Sequence, residues 1–211
     1  MISYVLLIVS VIMVVIIYFS FLVNRISNIK RRSDDYTGFD VAKEVTTDYD
    51  VINIVRSNDI MISEYDIKRN VIRLNNSNYE GDSYWDIIVA SLLAGYSLVN
   101  SENPNNFKFS FILKRIRIIS FVPMIMVLIS YFVNNIGDAK IGLVVFILLV
   151  IYQYMRYQIA VSANEIIKNN LRKELYEKLE NSITGDIRFN MLAFVASLVM
   201  ILRLVIIILG M

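Results

Sequence analysis

The side chains of this sequence that could do chemistry are few: the carboxylates of Glu64, Asp66 and Asp86, the phenol of Tyr96, and the guanidinium of Arg203. The chain has no cysteine and no histidine. Disulfides, thiolate catalysis and Cys-ligated metals are therefore excluded. So is imidazole, the commonest ligand of catalytic zinc and the commonest general base near neutral pH. A set of oxygen ligands drawn from Glu64, Asp66 and Asp86 would suit magnesium or calcium better than zinc, and their spacing gathers them around no single point. There is no glycine-rich phosphate loop, no nucleophile elbow, no internal repeat and no low-complexity tract. The formal charge of +2 is nearly neutral, which gives nucleic acid no footprint.

The elements that must position these groups are mostly apolar. The chain of 211 residues is 56% apolar, against about 45–50% for soluble domains. The excess of Leu, Ile, Val and Met lies in blocks, which points to the lipid bilayer as a partner. Ile2 to Val23 is long enough to cross a hydrocarbon core of about 30 Å. It lacks the basic start, short core and small-residue cleavage site of a signal peptide, so a retained anchor is expected. A second block runs from Ile118 to about Ile136, a third from Ile141 to Met155, and a fourth from Met191 to Met211. The second and third are joined only by Asn134 to Lys140 and form a hairpin. The segment after the first span carries Arg25, Lys30, Arg31 and Arg32 at one end and Lys114, Arg115 and Arg117 at the other. The segment after the third carries Arg156, Lys168, Arg172, Lys173, Lys178 and Arg188. By the positive-inside rule both large segments face the cytoplasm and both termini lie outside. The fold class is thus an α-helical integral membrane protein with four transmembrane helices and a small cytoplasmic α+β region between spans 1 and 2. Its parts are an anchor at 1–24, a cytoplasmic region at 25–117, a transmembrane hairpin at 118–156, a cytoplasmic helix at 157–190 and a last span at 191–211. Arg203 lies inside that last span. A charge at such depth is costly enough to turn away from lipid, either pairing inside the bundle or anchoring an acidic partner or substrate.

In the cytoplasmic region, Thr37 precedes a short helix from Gly38 to Val45, capped by the threonine hydroxyl. Val51 to Val55, Asp59 to Ser63 and Asn70 to Leu74 are short β-branched runs separated by Ser57-Asn58 and Tyr65-Asp66, and read as a small antiparallel sheet. A polar loop, Asn75 to Asp82, leads to a helix over residues 83–99. Its apolar stretch is too short for a span, so it is read as a buried core helix. Beyond the third span, Ala160 to Asn181 reads as one helix with Ile167, Leu171, Leu175 and Leu179 on a single apolar stripe, packed on the sheet region.

The order of these elements resembles the YugP-type neutral zinc metallopeptidases of bacteria, membrane-embedded peptidases with a zincin-like site. The resemblance rests on Thr37-Gly38 with Val41-Ala42-Lys43, on Tyr65-Asp66 with Lys68-Arg69 and Val71 to Leu74, and on Asn78-Tyr79, Gly81 and Ser83. It continues through Val89-Ala90, Gly95, Tyr152-Gln153 and Leu202-Arg203-Leu204. In that family the helix after the Asn-Tyr-x-Gly-x-Ser loop carries two histidines four residues apart, which bind zinc, and a glutamate that activates the bound water. The resemblance places the first histidine at Leu92, the glutamate at Leu93 and the second histidine at Tyr96. An acidic stretch of the family falls on Ile159 to Asn164, where its two acids are Ala160 and Ser162. A family Asp-His-Tyr-Asp stretch reads here Ser63-Glu64-Tyr65-Asp66. The resemblance implies zinc as cofactor, but these positions hold no zinc ligand, so the chain reads as a degenerate member that binds no cofactor, with Leu92, Leu93 and Tyr96 filling the former metal cavity.

The function these readings favour is a catalytically inactive membrane pseudo-peptidase that binds a protein or peptide partner. The strand Asn70, Val71, Ile72, Arg73, Leu74 is the candidate edge on which an extended peptide would pair. Two alternatives stand beside it. One is a membrane hydrolase or peptidase with a rebuilt, non-histidine site using Tyr96 with Glu64 or Asp66. The other is a transport or pore component, for which Arg203 is the one intramembrane charge.

Overall fold

The computed structural model describes residues 2–33, 35–47, 52–58, 63–102, 122–133 and 135–210. Its elements are α1 (Ile2–Lys30), α2 (Gly38–Val45), β1 (Asn53–Ser57), β2 (Glu64–Asp66), β3 (Val71–Asn75), α3 (Asn76–Glu80), α4 (Tyr84–Glu102), α5 (Val122–Phe132), α6 (Ile136–Asn170) and α7 (Lys173–Leu209). They form two compact units. One comprises Met1–Phe21, Phe109–Gln158 and Arg188–Met211, the other Leu22–Lys108 and Ile159–Ile187.

The first unit is built from apolar helix. By length and composition α1, α6 and α7 can each cross a membrane. At a rise of 1.5 Å per residue they are about 43, 52 and 55 Å long, against about 30 Å of hydrocarbon. The expected second span falls on α5, a shorter apolar helix of about 17 Å; residues 118–121 and 134 of that expectation lie outside the described residues. α6 starts at Ile136, inside the expected hairpin turn, because Asn135 caps it: the Asn135 Oδ1 accepts the Asp138 N–H at 2.9 Å and its Nδ2 donates to the Asp138 carboxylate at 2.6 Å. Large apolar side chains point outward, Phe132 being 74% and Ile141 71% exposed. In water such a surface would drive association; apolar surroundings satisfy it.

The interior of this unit contains Val14, Ile17, Met126, Phe146, Met200 and Leu204, with six polar residues buried in the same unit among the described residues: Ser10, Ser130, Gln153, Asn190, Ser197 and Arg203. Ser10 and Ser197 donate back to the carbonyls of Leu6 and Ala193 in their own helices, so neither needs a partner across the bundle. Arg203, 1% exposed, uses its whole fork. Its Nη1 donates to the Ser130 carbonyl and, at 2.6 Å, to the Ser130 hydroxyl, its Nη2 to the Val133 carbonyl at 3.3 Å, and its Nε to the Ser3 carbonyl at 3.2 Å. Ser130 and Val133 lie at the C-terminal end of α5, where helix carbonyls lack intrahelical partners and the helix dipole is negative. The guanidinium therefore serves as the C-cap of α5.

The second unit encloses its own core around α4. α2 begins as expected: Thr37 and Asp40 form a reciprocal capping box, the Asp40 N–H donating to the Thr37 hydroxyl and the Thr37 N–H to the Asp40 carboxylate. Val41, Ala42 and Val45 are buried against Ile72, Leu74, Ile87, Ala90, Ala94 and Leu98. The sheet differs from the expected antiparallel one. Its order is β1-β3-β2, with β1 parallel to β3 and β2 antiparallel to it. β2 occupies Glu64 to Asp66, across the expected Tyr65-Asp66 separator, while residues 59–62 of the expected middle strand lie outside the described residues. β3 is central, paired along Val71–Asn75 with β1 and along Val71–Arg73 with β2. Val71, Ile72 and Arg73 thus have strands on both sides, and the expectation of peptide pairing along Asn70, Val71, Ile72, Arg73 and Leu74 is corrected: the middle of that run is the centre of the sheet and not an edge.

The expected helix from Ala160 to Asn181 is broken at Leu171-Arg172. The break is held from α2, whose Glu44 carboxylate accepts the Arg172 N–H at 2.9 Å while Asn170 Nδ2 donates to the Val45 carbonyl. Ile167, Leu171, Leu175 and Leu179 all remain buried, so the stripe packs as expected although two helices carry it. Replacing Arg203 by Leu leaves the α5 carbonyls unpaired. A loss of about 1–3 kcal/mol is expected, seen as a lower melting midpoint of the detergent-solubilised chain, with Arg203→Lys falling between because one ammonium cannot reproduce the fork.

Candidate functional site

The helix expected to carry a site, α4, approaches α6 closely because its facing residues are small. A Cβ on Gly95 would lie 3.0 Å from the Ala163 carbonyl oxygen and from Ile167, and Ala90, Ala94, Ser91 and Ser97 are fully buried around it. Leu92, Leu93 and Tyr96 are half-buried and pack against the core. Leu92 and Tyr96 share a helix face by their i,i+4 spacing. The Tyr96 hydroxyl donates to the Asp186 carboxylate of α7 at 2.7 Å. Ala160 is buried at 1% exposure, whereas Ser162 is exposed. Of the two positions that the resemblance assigns to acids, therefore, only Ala160 points inward.

This donor set does not fit zinc. Leu92 and Leu93 offer hydrocarbon, Ala160 offers a methyl group, and the Tyr96 phenol is engaged with Asp186. Among the described residues, no three His, Cys, Asp or Glu side chains converge on a point that could hold a metal ion. The other acids expected as oxygen ligands have separate tasks. Glu64 and Asp66 flank Arg73 at 3.8 and 2.9 Å, and Asp66 also accepts the N–H groups of Lys68 and Arg69 in the following turn. A surface hollow of about 420 Å³, lined by Asp35, Tyr36, Asp40, Lys43, Glu44, Thr47 and Arg172, is crossed by the Arg172–Glu44 pair and the Arg172 to Tyr36 hydrogen bond, which leaves its charges largely satisfied within the chain.

Asp86 sits in a more developed arrangement, which connects β2, β3, α3 and α4. The Asn75 N–H donates to the Ser63 hydroxyl, which donates to Asn78 Oδ1 at 2.8 Å; Asn78 Nδ2 then donates to the Asp86 carboxylate at 2.9 Å. The Ser83 hydroxyl also donates to Asp86 and accepts the Asp86 N–H, capping α4. Two glycines make room. A Cβ on Gly81 would lie 1.9 Å from the Ser77 carbonyl oxygen and 2.5 Å from the Asp86 carboxylate. One on Gly38 would lie 1.9 Å from the Asn78 carbonyl oxygen. The Gly38 N–H donates to the Gly81 carbonyl at 3.0 Å. Thr37-Gly38 and Asn78-Tyr79-x-Gly81-x-Ser83, two separate stretches of the sequence resemblance, thus form one joint. The sequence reading missed Asp186 and this polar chain. Asp186 is 90 positions from Tyr96, with no local pattern to reveal it; the Asn and Ser residues of the loop were a visible signal.

Burial is the chief cause that raises the Asp86 carboxyl above its usual range, with Asp82 adding to it and the bonds from Ser83 and Asn78 opposing it. Because the folded value is the higher one, the linked stability is fully present below about pH 4, the unfolded value, and is lost as pH rises through the folded value. Asp86→Asn should therefore flatten the fall in melting midpoint between about pH 4 and neutrality, measured by parallel melts of the two proteins across that range.

No curated protein and no solved structure matches the chain. The family model that does match, described as putative neutral zinc metallopeptidase, aligns with residues 1–209. With virtually the whole length covered by that one model, and with the family's loop residues meeting in the joint beneath α4, the chain belongs to this zinc metallopeptidase family.

Proposed function

We propose that this chain is a non-catalytic member of its family, a membrane pseudo-peptidase that holds a protein or extended peptide without cutting it. The observation that carries this reading is the filling of the helix face at Leu92 and Tyr96. Hydrocarbon and a phenol hydrogen-bonded to Asp186 stand where a metal and its water would be needed, in a chain with no histidine or cysteine anywhere. Strand addition remains available on the sheet, but at β1 rather than β3. Among the described residues β1 is an edge strand whose Val55 is exposed, and an edge strand is a template for an added strand.

The test combines metal, cleavage and binding. After incubation with zinc and dialysis in chelator-free buffer, the purified chain should retain no stoichiometric zinc and should cleave no member of a mixed peptide library. The same library should be retained by the immobilised chain and lost from Val55→Lys, since a lysine on an edge strand opposes strand addition. One zinc per chain with chelator-sensitive cleavage would sink the proposal.

The membrane arrangement we propose has four spans in a bacterial cell membrane, with α5 and the residues before it as the second. Both large loops are cytoplasmic and both termini outside. The basic residues flanking the loops support this orientation. The chain has no native cysteine, so single cysteines report cleanly. Asn135→Cys should react with a membrane-impermeant maleimide in intact cells, and Lys178→Cys only after permeabilisation; the reverse pattern inverts the topology.

A further inference from the structure

Beyond residue 21, α1 continues without a break to Lys30. In the unit formed by Leu22–Lys108 and Ile159–Ile187 its two faces differ sharply. The inner face is fixed by asparagines. Asn28, 2% exposed, accepts a hydrogen bond from the Ser182 hydroxyl at 3.1 Å and donates to Asn24, and Asn24 lies against Gly185. The outer face is set by the helical period. Leu22, Ile26 and Ile29 fall together on it, 48%, 54% and 45% exposed, with Arg25 and Lys30 beside them. An aliphatic stripe bordered by cations is unstable in water and unsuited to the middle of a bilayer; it suits the boundary between acyl chains and headgroups.

The cations are also left available. Among the described residues Arg32 is paired with Asp82, but Arg25, Lys30 and Arg31 form no ion pair. Arg25 instead lies over the Trp85 ring at 5.4 Å and Arg31 over the Tyr84 ring at 4.5 Å. A ring face holds a guanidinium in place without neutralising it, so both keep their charge for an outside anion.

We infer that this face of α1, with Arg25, Lys30 and Arg31, is a seat for anionic phospholipid headgroups, so that the protein selects acidic lipid around itself. The inference rests on the membrane reading proposed above and adds a lipid class to it. Leu22, Ile26 and Ile29 enter the acyl boundary, and the three cations meet the phosphates of lipids whose headgroups carry net negative charge. Zwitterionic lipids offer the same apolar boundary without that charge.

Trp85, the sole tryptophan of the chain, stands beside Arg25 and reports on the site. The full-length protein is reconstituted into vesicles of mixed phosphatidylcholine and phosphatidylglycerol at equal mole fraction, with bromine near the headgroup end of the acyl chains of one lipid or the other. Brominated phosphatidylglycerol should quench Trp85 more strongly. The preference should fall about fivefold for each cation removed, vanish in the triple variant Arg25→Gln, Lys30→Gln, Arg31→Gln, and weaken with added salt. Equal quenching by both lipids in the unchanged protein overturns the headgroup seat and leaves the membrane reading intact. Absence of quenching by either lipid means that this part of α1 is not at a bilayer, and the membrane reading falls with it.

Discussion

The close approach of α2 to the loop ahead of α4 is the constraint on which the second unit depends. Backbone meets backbone there at a distance that any side chain at position 38 would forbid, and the contact is sealed by the Gly38 to Gly81 hydrogen bond. Once the chain is that close, Asn78 is buried and needs partners for its amide. Ser63, Asn75 and Asp86 supply them. The same residues then set where β2, β3 and α4 lie with respect to each other, so packing and polar satisfaction impose one geometry.

That geometry holds the elements around α4 together through contacts within the chain. A zinc ion would hold its ligand-bearing helices together through coordination, and coordination energy is folding energy. Here the equivalent holding is divided among ordinary contacts. Gly95 lets α4 approach Ala163 and Ile167, and Tyr96 reaches Asp186 on α7. The stripe from Ile167 to Leu179 completes the core. None of these needs deprotonated ligands or a supply of metal.

Local features were legible in the sequence. The Thr37–Asp40 box and the buried α4 with its Ser83 start were readable because capping and apolar length are decided within a few residues. The long apolar helices were readable for the same reason. Features decided at a distance were hidden. The first and third strands were found close to their places, but the position of the middle strand, the sheet order and the parallel pairing of β1 with β3 depend on neighbours that no local run specifies. Tyr65-Asp66 reads as a separator by composition and becomes strand because Tyr65 pairs with Ile72 and its hydroxyl reaches Asn70. The break at Leu171-Arg172 carries neither glycine nor proline; it is imposed by Glu44 from 128 positions earlier. For the candidate site, the residue types at Leu92, Leu93 and Tyr96 were legible, while Asp186, which accepts the Tyr96 hydroxyl, was not.

The interleaving of the two units bears on how the protein is made. The second unit draws on Leu22–Lys108 and Ile159–Ile187, and everything between them belongs to the first. As the chain leaves the ribosome, the sheet, α2 and α4 emerge before the segment that covers α4 has been translated. At the ordinary pace of synthesis, about 5–20 residues per second, several seconds separate the two. During that interval the side of α4 at Gly95, which Ala163 and Ile167 cover, is open, so this unit completes its fold only late in synthesis. Its assembly is thus tied to delivery of the intervening apolar helices, and a chain stalled before Ile159 would present α4 to chaperones and proteases as unfinished.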